Sequence, residues 1–464
     1  MTSLTLSTPA QKIIKTLQDN GFSAFVVGGA VRDLLLQKEV VNWDFTTDAT
    51  PEELLKIFPD AYYNNQFGTV GITLENLEKH FSLTATEKKE IYEITTFRSE
   101  KGYTDRRHPD QVSWGKTIEE DLKRRDFTIN TMALTIDKKT KKSKLIDLYH
   151  GQEDLKNKIV KTVGNPEERF QEDALRMMRA VRFSSTLGFL IEEETFSAIK
   201  KNYLLLKNIS WERIRDELLK ILASPFPYEG VLNLKKTGIL SLVLPEVEKC
   251  FGVEQKSLKR HHIYDVGTHL LLSLKECPNP DPIVRFATLL HDIGKAATIK
   301  KLPSGVITFY NHEIVGARMI KGIIYRLRLS REQREKLWTL VRWHQFSVDE
   351  HQTDSAIRRF IRRVGVENIK DMIDLRIADR LGGGVQTATS WRLRLYMKKI
   401  IDVQTHTPSV KDLKVNGNDV MQTLQIKPGP KVGKILDKLF KEITEDPSIN
   451  ERELLLKKII DLNK

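Results

Sequence analysis

The sequence predicts an α+β protein, a small α/β head over residues 1–150 followed by a mainly helical remainder. Three observations carry this. Up to about residue 150, short apolar or alternating runs are interleaved with helical stretches and turns. From Pro166 onward strand signals nearly vanish, while apolar residues recur at helical spacing. The chain has 464 residues, 40% of them apolar and 30% charged. That length suits two to four cooperating units, and the composition supports buried cores rather than a disordered tail.

The elements follow in order. Thr8-Pro9-Ala10-Gln11 reads as a helix start, with a capping Thr, Pro at the first helical position and Gln closing a capping box. Ala24–Val27 reads as a strand, Gly28-Gly29 as a tight turn and Val31–Leu36 as a helix. Pro51–Ile57 is a second short helix, and Thr69–Leu74, Ile91–Phe97 and Thr131–Ile136 are further strands. Beyond the head, Leu175, Met178 and Val181, and later Ile209, Ile214, Leu218 and Leu219, mark apolar faces of helices. Gly305–Tyr310 is the one later stretch that reads as a short hairpin strand. Pro and Gly interruptions fall near residues 225–230, 277–282, 382–384 and 428–430.

Charge divides the chain unevenly. Lys and Arg exceed Asp and Glu by 75 to 62, a net +13, made of −1 over residues 1–150, 0 over 151–230 and +14 over 231–464. A polyanionic partner, nucleic acid first, therefore faces the second half. Two cysteines, Cys250 and Cys277, are too few for a disulfide scaffold and suit a reducing cytoplasm. No apolar run reaches the length of a membrane span, and no export signal opens the chain.

The chemistry is concentrated in two places. After the strand at 24–27, Gly28 and Gly29 let backbone approach an anion, and a helix start aims free N–H groups at it. In Asn42-Trp43-Asp44-Phe45, Trp43 and Phe45 share one strand face and Asn42 and Asp44 the other. Such a pair can hold Mg2+ beside the phosphates, and Glu93 on a neighbouring strand is the candidate third ligand. Further on, Leu289–Lys295 places His291 and Asp292 side by side at the end of an apolar helix, with His269 upstream and Asp379 downstream.

Five segments, VVGGAVRDLLL (26–36), NWDFTTDATPEEL (42–54), RRDFTINTMA (124–133), ERFQEDALRMMRAVRF (168–183) and ISWERIRDEL (209–218), carry a family likeness. In this order and spacing the first half of the chain resembles the bacterial-type (class II) tRNA nucleotidyltransferases and their relatives, the bacterial poly(A) polymerases. The resemblance implies a polymerase-beta-like nucleotidyltransferase head over 1–150 and a helical neck over 151–225. A body with an HD domain over 226–385 and a basic tRNA-binding tail over 386–464 would complete an elongated chain. It implies addition of CCA to the tRNA acceptor end from CTP and ATP, with Mg2+ at Asn42, Asp44 and Glu93 and release of pyrophosphate. Asp173 and Arg176 would share a helix face and read the Watson–Crick edges of C and A. Gly28, Gly29, Arg32, Arg124, Asp126, Asn130, Arg179 and Arg182 would line the nucleotide site, with Asp126 near the ribose. Arg125 would approach phosphate, while Glu212 and Arg213 would be architectural. The polar loop Glu100–Asp110 resembles one that the family uses for the final A.

The family pattern has aspartate where this chain has Asn42. An amide oxygen can ligate Mg2+ but brings no charge, so turnover is expected to fall while nucleotide and tRNA binding persist. Two origins fit, a naturally weakened enzyme or an aspartate exchanged to trap a complex, and the intact remaining motifs favour the exchange. The alternatives in function are an A-adding enzyme, a poly(A) polymerase, or a phosphohydrolase with an impaired head. The string around His291 and Asp292 resembles HD-domain phosphohydrolases. That likeness implies a transition-metal site (Mn2+ or Ni2+ among others) of His269, His291, Asp292 and Asp379, with His312 and His344 as possible additions and phosphatase or cyclic phosphodiesterase activity.

Overall fold

The computed structural model describes residues 4–63, 68–73, 75–76, 91–101, 111–255, 264–405, 410, 413–445 and 449–462. The chain divides into two compact units, Met1–Glu248 with Arg326–Arg328, and Lys249–Tyr325 with Leu329–Lys464. Each is described by itself below.

The first unit begins with helix α1 (Thr8–Asp19), capped by Ser7 rather than the expected Thr8. The Ser7 hydroxyl accepts from the Ala10 amide, and the Gln11 side chain donates to the Leu6 carbonyl instead of closing a box. Two oxygen acceptors one residue apart in Ser7-Thr8 made the register of the cap ambiguous in sequence. Strand β1 (Ala24–Val27), helix α2 (Gly29–Leu35), strand β2 (Trp43–Thr47) and helix α3 (Pro51–Ile57) follow. Strands β3 (Tyr62–Tyr63), β4 (Thr69–Thr73) and β5 (Ile91–Thr96) come next. The pair β6 (Arg98–Lys101) and β7 (Gln111–Trp114) stands apart, and β8 (Met132–Ile136) and β9 (Ser143–Asp147) complete the strands of the head.

Seven of these strands form one mixed sheet in the order β3-β4-β5-β2-β1-β8-β9. Strand β1 pairs antiparallel with β2 and β8, while β2 pairs in parallel with β5. Val26, Phe45, Tyr92, Ile94 and Leu134 are fully buried on this sheet, which fixes its register because a one-residue slip would turn them to solvent. Behind it, helices Pro166–Glu172, Leu175–Leu187, Glu193–Asn202, Trp211–Ala223 and Pro227–Lys236 pack on one another.

The second unit is helical. Val266–Lys275, Pro282–Leu290, His312–Arg326, Arg331–Trp343 and Ile369–Gly382 surround a buried polar cluster. The hairpin expected near 305–310 is present as Ile307–Thr308, paired with Lys300–Lys301. Asp354–Val364 shows why these stretches are helices: Ile357, Phe360, Ile361 and Val364 recur at helical spacing and are the residues it buries. The C-terminal helices Gly417–Leu424, Pro430–Glu445 and Arg452–Asp461 close over a small core of their own, including Val420, Leu439, Leu455 and Ile459. Cys250 and Cys277 are buried. Among the described residues no helix is long and apolar enough to cross a membrane.

Candidate active site

In the head, strand pairing brings the chemistry together. Val27 lies opposite Asp44, so the Gly28 turn that follows β1 sits directly over β2. Asp44 in turn lies beside Glu93 in the parallel β2–β5 register, placing the expected third acid next to the second. Asn42 is exposed, one residue before β2, while Trp43 and Phe45 are buried on the opposite face. Gly28 has φ +70° and ψ −136°, a conformation that is essentially glycine-only. A Cβ there would lie 3.4 Å from Arg125 Nη1 and 3.6 Å from Asp44 Oδ2, ordinary contact distances, so it is the backbone conformation and not crowding that calls for glycine.

Burial raises the Asp44 carboxyl, partly offset by the Arg125 guanidinium, and burial together with the Asp44 charge raises Glu93. Two carboxylates that repel each other across neighbouring strands are donors that fit a hard divalent cation.

Around them the cations are held by internal acids. Buried Asp121 accepts from both Arg124 (2.5 Å) and Arg125 (2.9 Å), and these guanidiniums hold its carboxyl below the usual range despite burial. Asp126 accepts two bonds from Arg179 (2.8 and 2.5 Å), which overcome burial and likewise hold it low. Arg32 donates to Asn130 (2.8 Å) and to Asp33. Arg182 donates to Glu217 (2.6 Å). The rings and cations are linked too: Arg32, Arg179 and Arg182 lie 5.6, 5.5 and 4.0 Å from the Phe183 ring centre. Asp121, Phe183 and Glu217 were not singled out in sequence. The spacing signal was present for Asp121, three and four residues before Arg124 and Arg125, and for Phe183, four after Arg179.

Asp173 and Arg176 depart from expectation. They do not share one helix, because Pro166–Glu172 ends at Asp173, which has extended backbone (φ −138°, ψ 105°), and a new helix begins at Leu175. Asp173 uses one carboxylate oxygen to accept from the Leu175 amide (3.0 Å) and the other to accept from Arg213 (2.9 Å). An aspartate that can cap the helix after it competes with continuing the helix before it, and capping wins here. Arg213, expected to be architectural, therefore touches the candidate base-reading acid, while Glu212 pairs with Arg328. Arg176 is 9% exposed and donates to Glu172 (2.5 Å) and to the carbonyls of Arg169 (3.2 Å) and Arg124 (3.1 Å). Loop residues 102–110 and Asn64–Phe67 lie outside the described residues.

In the second unit all four expected residues converge. His269 Nε2 and His291 Nε2 are 3.3 Å apart, and Asp379 Oδ1 lies 3.2 and 3.5 Å from them. Asp292 Oδ2 is 3.5 Å from His269 and 3.3 Å from His291. Lys295 Nζ contacts the same oxygen at 2.5 Å and Gln255 at 2.9 Å. Gly294 makes this approach possible, since a Cβ there would lie 2.0 Å from the His312 carbonyl. Burial alone would favour neutral His291, yet Asp292 and Asp379 push it up to about 10, and both acids sit well below the usual range. A cavity of about 450 Å³ opens on this cluster, lined among others by Lys295, Tyr310, Gln345 and Arg376.

Three family models match: the Poly A polymerase head domain over residues 24–161, the "Probable RNA and SrmB- binding site of polymerase A" over 188–251, and tRNA nucleotidyltransferase domain 2 over 320–459. The chain is 33% identical to a CCA-adding enzyme of Ligilactobacillus salivarius over 449 residues, 96% of this chain and 94% of that one. It is equally similar, at 33% over 455 residues and 98% of each chain, to a CCA-adding enzyme of Pediococcus pentosaceus. Among solved structures, the Bacillus stearothermophilus CCA-adding enzyme in complex with CTP superposes with a TM-score of 0.68 at 27% identity, covering 99% of this chain and 98% of that one.

Proposed function

Because the chain belongs to the CCA-adding enzyme family, we propose that its head performs nucleotidyl transfer with Asp44, Glu93 and Asn42 as the reacting centre. The enzyme rebuilds the 3'-terminal CCA of tRNA from CTP and ATP. The terminal ribose 3'-oxygen attacks the α-phosphorus, the bond to pyrophosphate breaks, and the hydroxyl proton leaves to solvent or base. The observation that carries the site assignment is the Asp44–Glu93 pairing beneath the Gly28 turn. Mg2+ held there would activate the hydroxyl and neutralise charge on the leaving pyrophosphate. Gly28, Gly29 and the α2 start would cradle the triphosphate, with Arg32 and Arg125 nearby. Arg124, Asp126, Asn130, Arg179 and Arg182 would line the nucleotide, with Phe183 as the rack that holds three guanidiniums. Asp173 and Arg176 would read the base edge, with Asp173 oriented by Arg213. For Arg176 this requires exchanging one of its internal bonds for the base.

Domain roles follow: 1–150 head, 151–225 neck and base reading, 226–385 body, 386–464 basic tail. The test supplies tRNA ending at the discriminator base, at C and at CC, with CTP, ATP or both. Two C additions from CTP alone and one A after CC are expected. An unextended substrate with CTP and extension with ATP would instead identify an A-adding enzyme, and long A tracts a poly(A) polymerase.

The second unit supports a further reading as an HD-type metal site. Four donors, His269, His291, Asp292 and Asp379, converge, and Asp292 and Asp379 line a cavity that also presents Lys295 and Arg376. Imidazoles among the donors favour Mn2+, Ni2+ or a similar ion over Mg2+, and the ion would polarise a phosphoester for attack by water. The cationic side chains would hold the phosphate.

A further inference from the structure

We propose that the second unit carries a pocket for one nucleoside monophosphate unit, separate from the His/Asp cluster, with the phosphate on Arg342 and Arg363 and the base against Phe346, Phe360 and Tyr396. A cavity of about 410 Å³ is lined from helices Arg331–Trp343, Asp354–Val364 and Trp391–Thr405 and from the loop between the first two. Small-molecule sites run to roughly 300–1,000 Å³, so one nucleotide is within its capacity. Glu313 and Gln345 also border the cavity at the His/Asp cluster, but none of His269, His291, Asp292, His312, His344 and Asp379 lines this one.

The lining favours an anion with a planar ring. It carries three guanidiniums, of Arg342, Arg359 and Arg363, against the single carboxylate of Glu313. Arg359 donates to the Ser355 hydroxyl (3.2 Å), and among the described residues no carboxylate pairs with Arg342 or Arg363. Instead these two guanidiniums lie 4.1 and 5.1 Å from the Trp343 ring centre. A guanidinium held over a ring by its face keeps its N–H edge for an oxyanion, so both are positioned with donors to spare. On the other side, the Phe346 ring centre lies 4.7 Å from that of Phe360 and 5.6 Å from that of Tyr396, the latter pair stacked. The three rings make one apolar wall. A phosphate alone gains nothing from such a wall, whereas every nucleobase has a π-face to set against it.

Two buried polar atoms of the lining point to the same ligand. Tyr396 is 1% exposed, yet its hydroxyl has no hydrogen-bond partner among the described residues, and neither has the buried Oε1 of Gln352. Buried polar atoms are normally paired, because leaving them unpaired costs the full loss of hydration. Burial raises the Tyr396 phenol above its ordinary value, so the hydroxyl keeps its proton and can donate, while Gln352 Oε1 can only accept. One donor and one acceptor beside an aromatic wall suit the edge of adenine or cytosine, where a ring-nitrogen acceptor stands next to an amino donor. A free mononucleotide and an unstacked nucleotide of an RNA strand both present this chemistry.

The probes are 8-azido-AMP and an adenylate trinucleotide carrying the same azide, each photocrosslinked to the full chain before the labelled peptides are mapped. Label is expected within residues 342–363 or 391–399, removed by excess of the matching unmodified nucleotide and not by inorganic phosphate. Labelling by 8-azido-AMP identifies a free mononucleotide as the ligand, and labelling by the trinucleotide alone identifies an RNA strand. Tyr396→Phe keeps the ring and deletes only the unpaired hydroxyl. It should leave the thermal midpoint of the ligand-free chain no lower and weaken protection by the nucleotide roughly three- to tenfold. Arg342→Ala/Arg363→Ala should weaken it by about tenfold or more, while circular dichroism reports whether the variant is folded. Label confined to other parts of the chain, label removed equally by inorganic phosphate, or protection unchanged in both folded variants would overturn the proposal.

Discussion

Arg213 changes the account of base selection at the scale of single residues. Its guanidinium holds the Asp173 carboxylate from a helix that the sequence marks only as support. Arg213→Ala should loosen Asp173 without unfolding the neck, because both side chains are partly exposed. Losing a charged hydrogen bond of about 1.5–3 kcal/mol should raise KM for CTP and ATP about tenfold and increase misincorporation of GTP and UTP. Steady-state incorporation with each nucleotide checks this, and Arg213→Lys should rescue only partly because it lacks the planar fork. The raised carboxyls of Asp44 and Glu93 give a second expectation. Each must lose its proton to hold a cation, so incorporation should fall on acidification at pH values above the ordinary 3.8 and 4.5 of these groups. For folding the sign is the reverse. A group with a raised folded value binds its proton more tightly when folded, so this pair stabilises the ion-free chain at low pH and loses that contribution as pH rises. A pH profile of CMP incorporation, with thermal midpoints measured in chelator, separates the two effects.

At the scale of elements, the Gly28 turn joins β1 to α2 with geometry that other residues reach only under strain. Gly28→Ala should cost about 1–3 kcal/mol of stability and depress incorporation further, since relief of the backbone strain would shift the turn that lies beside Arg125 and Asp44. Thermal unfolding and nucleotide affinity measured together test both parts. Strands at 24–27, 69–73, 91–96 and 132–136 and the helix at 51–57 were legible because alternating or apolar runs are bounded by turn residues. The register that joins Asp44 to Glu93 was inferred in sequence only as a candidate, since pairing between strands about 50 residues apart leaves no local pattern. The helix break at Asp173 was missed for the opposite reason. A single capping bond decided a stretch whose periodicity is otherwise helical. In the second unit, His291 and Asp292 announced themselves by adjacency, while His312 and His344, named in sequence only as possible additions, sit at the ends of separate helices and reach Asp292 through packing.

Across the whole molecule, the +13 of the sequence resolves into a nearly neutral first half and a basic second one. In the basic tail, the helix Trp391–Thr405 is partly engaged within its own unit. Arg392 pairs with Glu350, and Lys399 donates to the carbonyls of Glu350 and Gln352. Arg394 and Lys398 are exposed, as are Arg359, Arg362 and Arg363. Reversing Arg359, Arg362, Arg394 and Lys398 to Glu should weaken tRNA binding and flatten its dependence on log salt by roughly one unit per lost phosphate contact. CTP affinity should be unchanged, and fluorescence titrations at several salt concentrations measure both. The central claim is that the head transfers nucleotides through the acids beneath Gly28, with Asn42 supplying too little charge. Its most direct measurement is Mg2+-dependent CMP incorporation into tRNA ending at the discriminator base, compared for the chain, for Asn42→Asp and for Asn42→Asp/Asp44→Ala. The restored carboxylate should raise the rate about 10²-fold, and loss of Asp44 should abolish it. Equal rates in all three proteins would contradict the account.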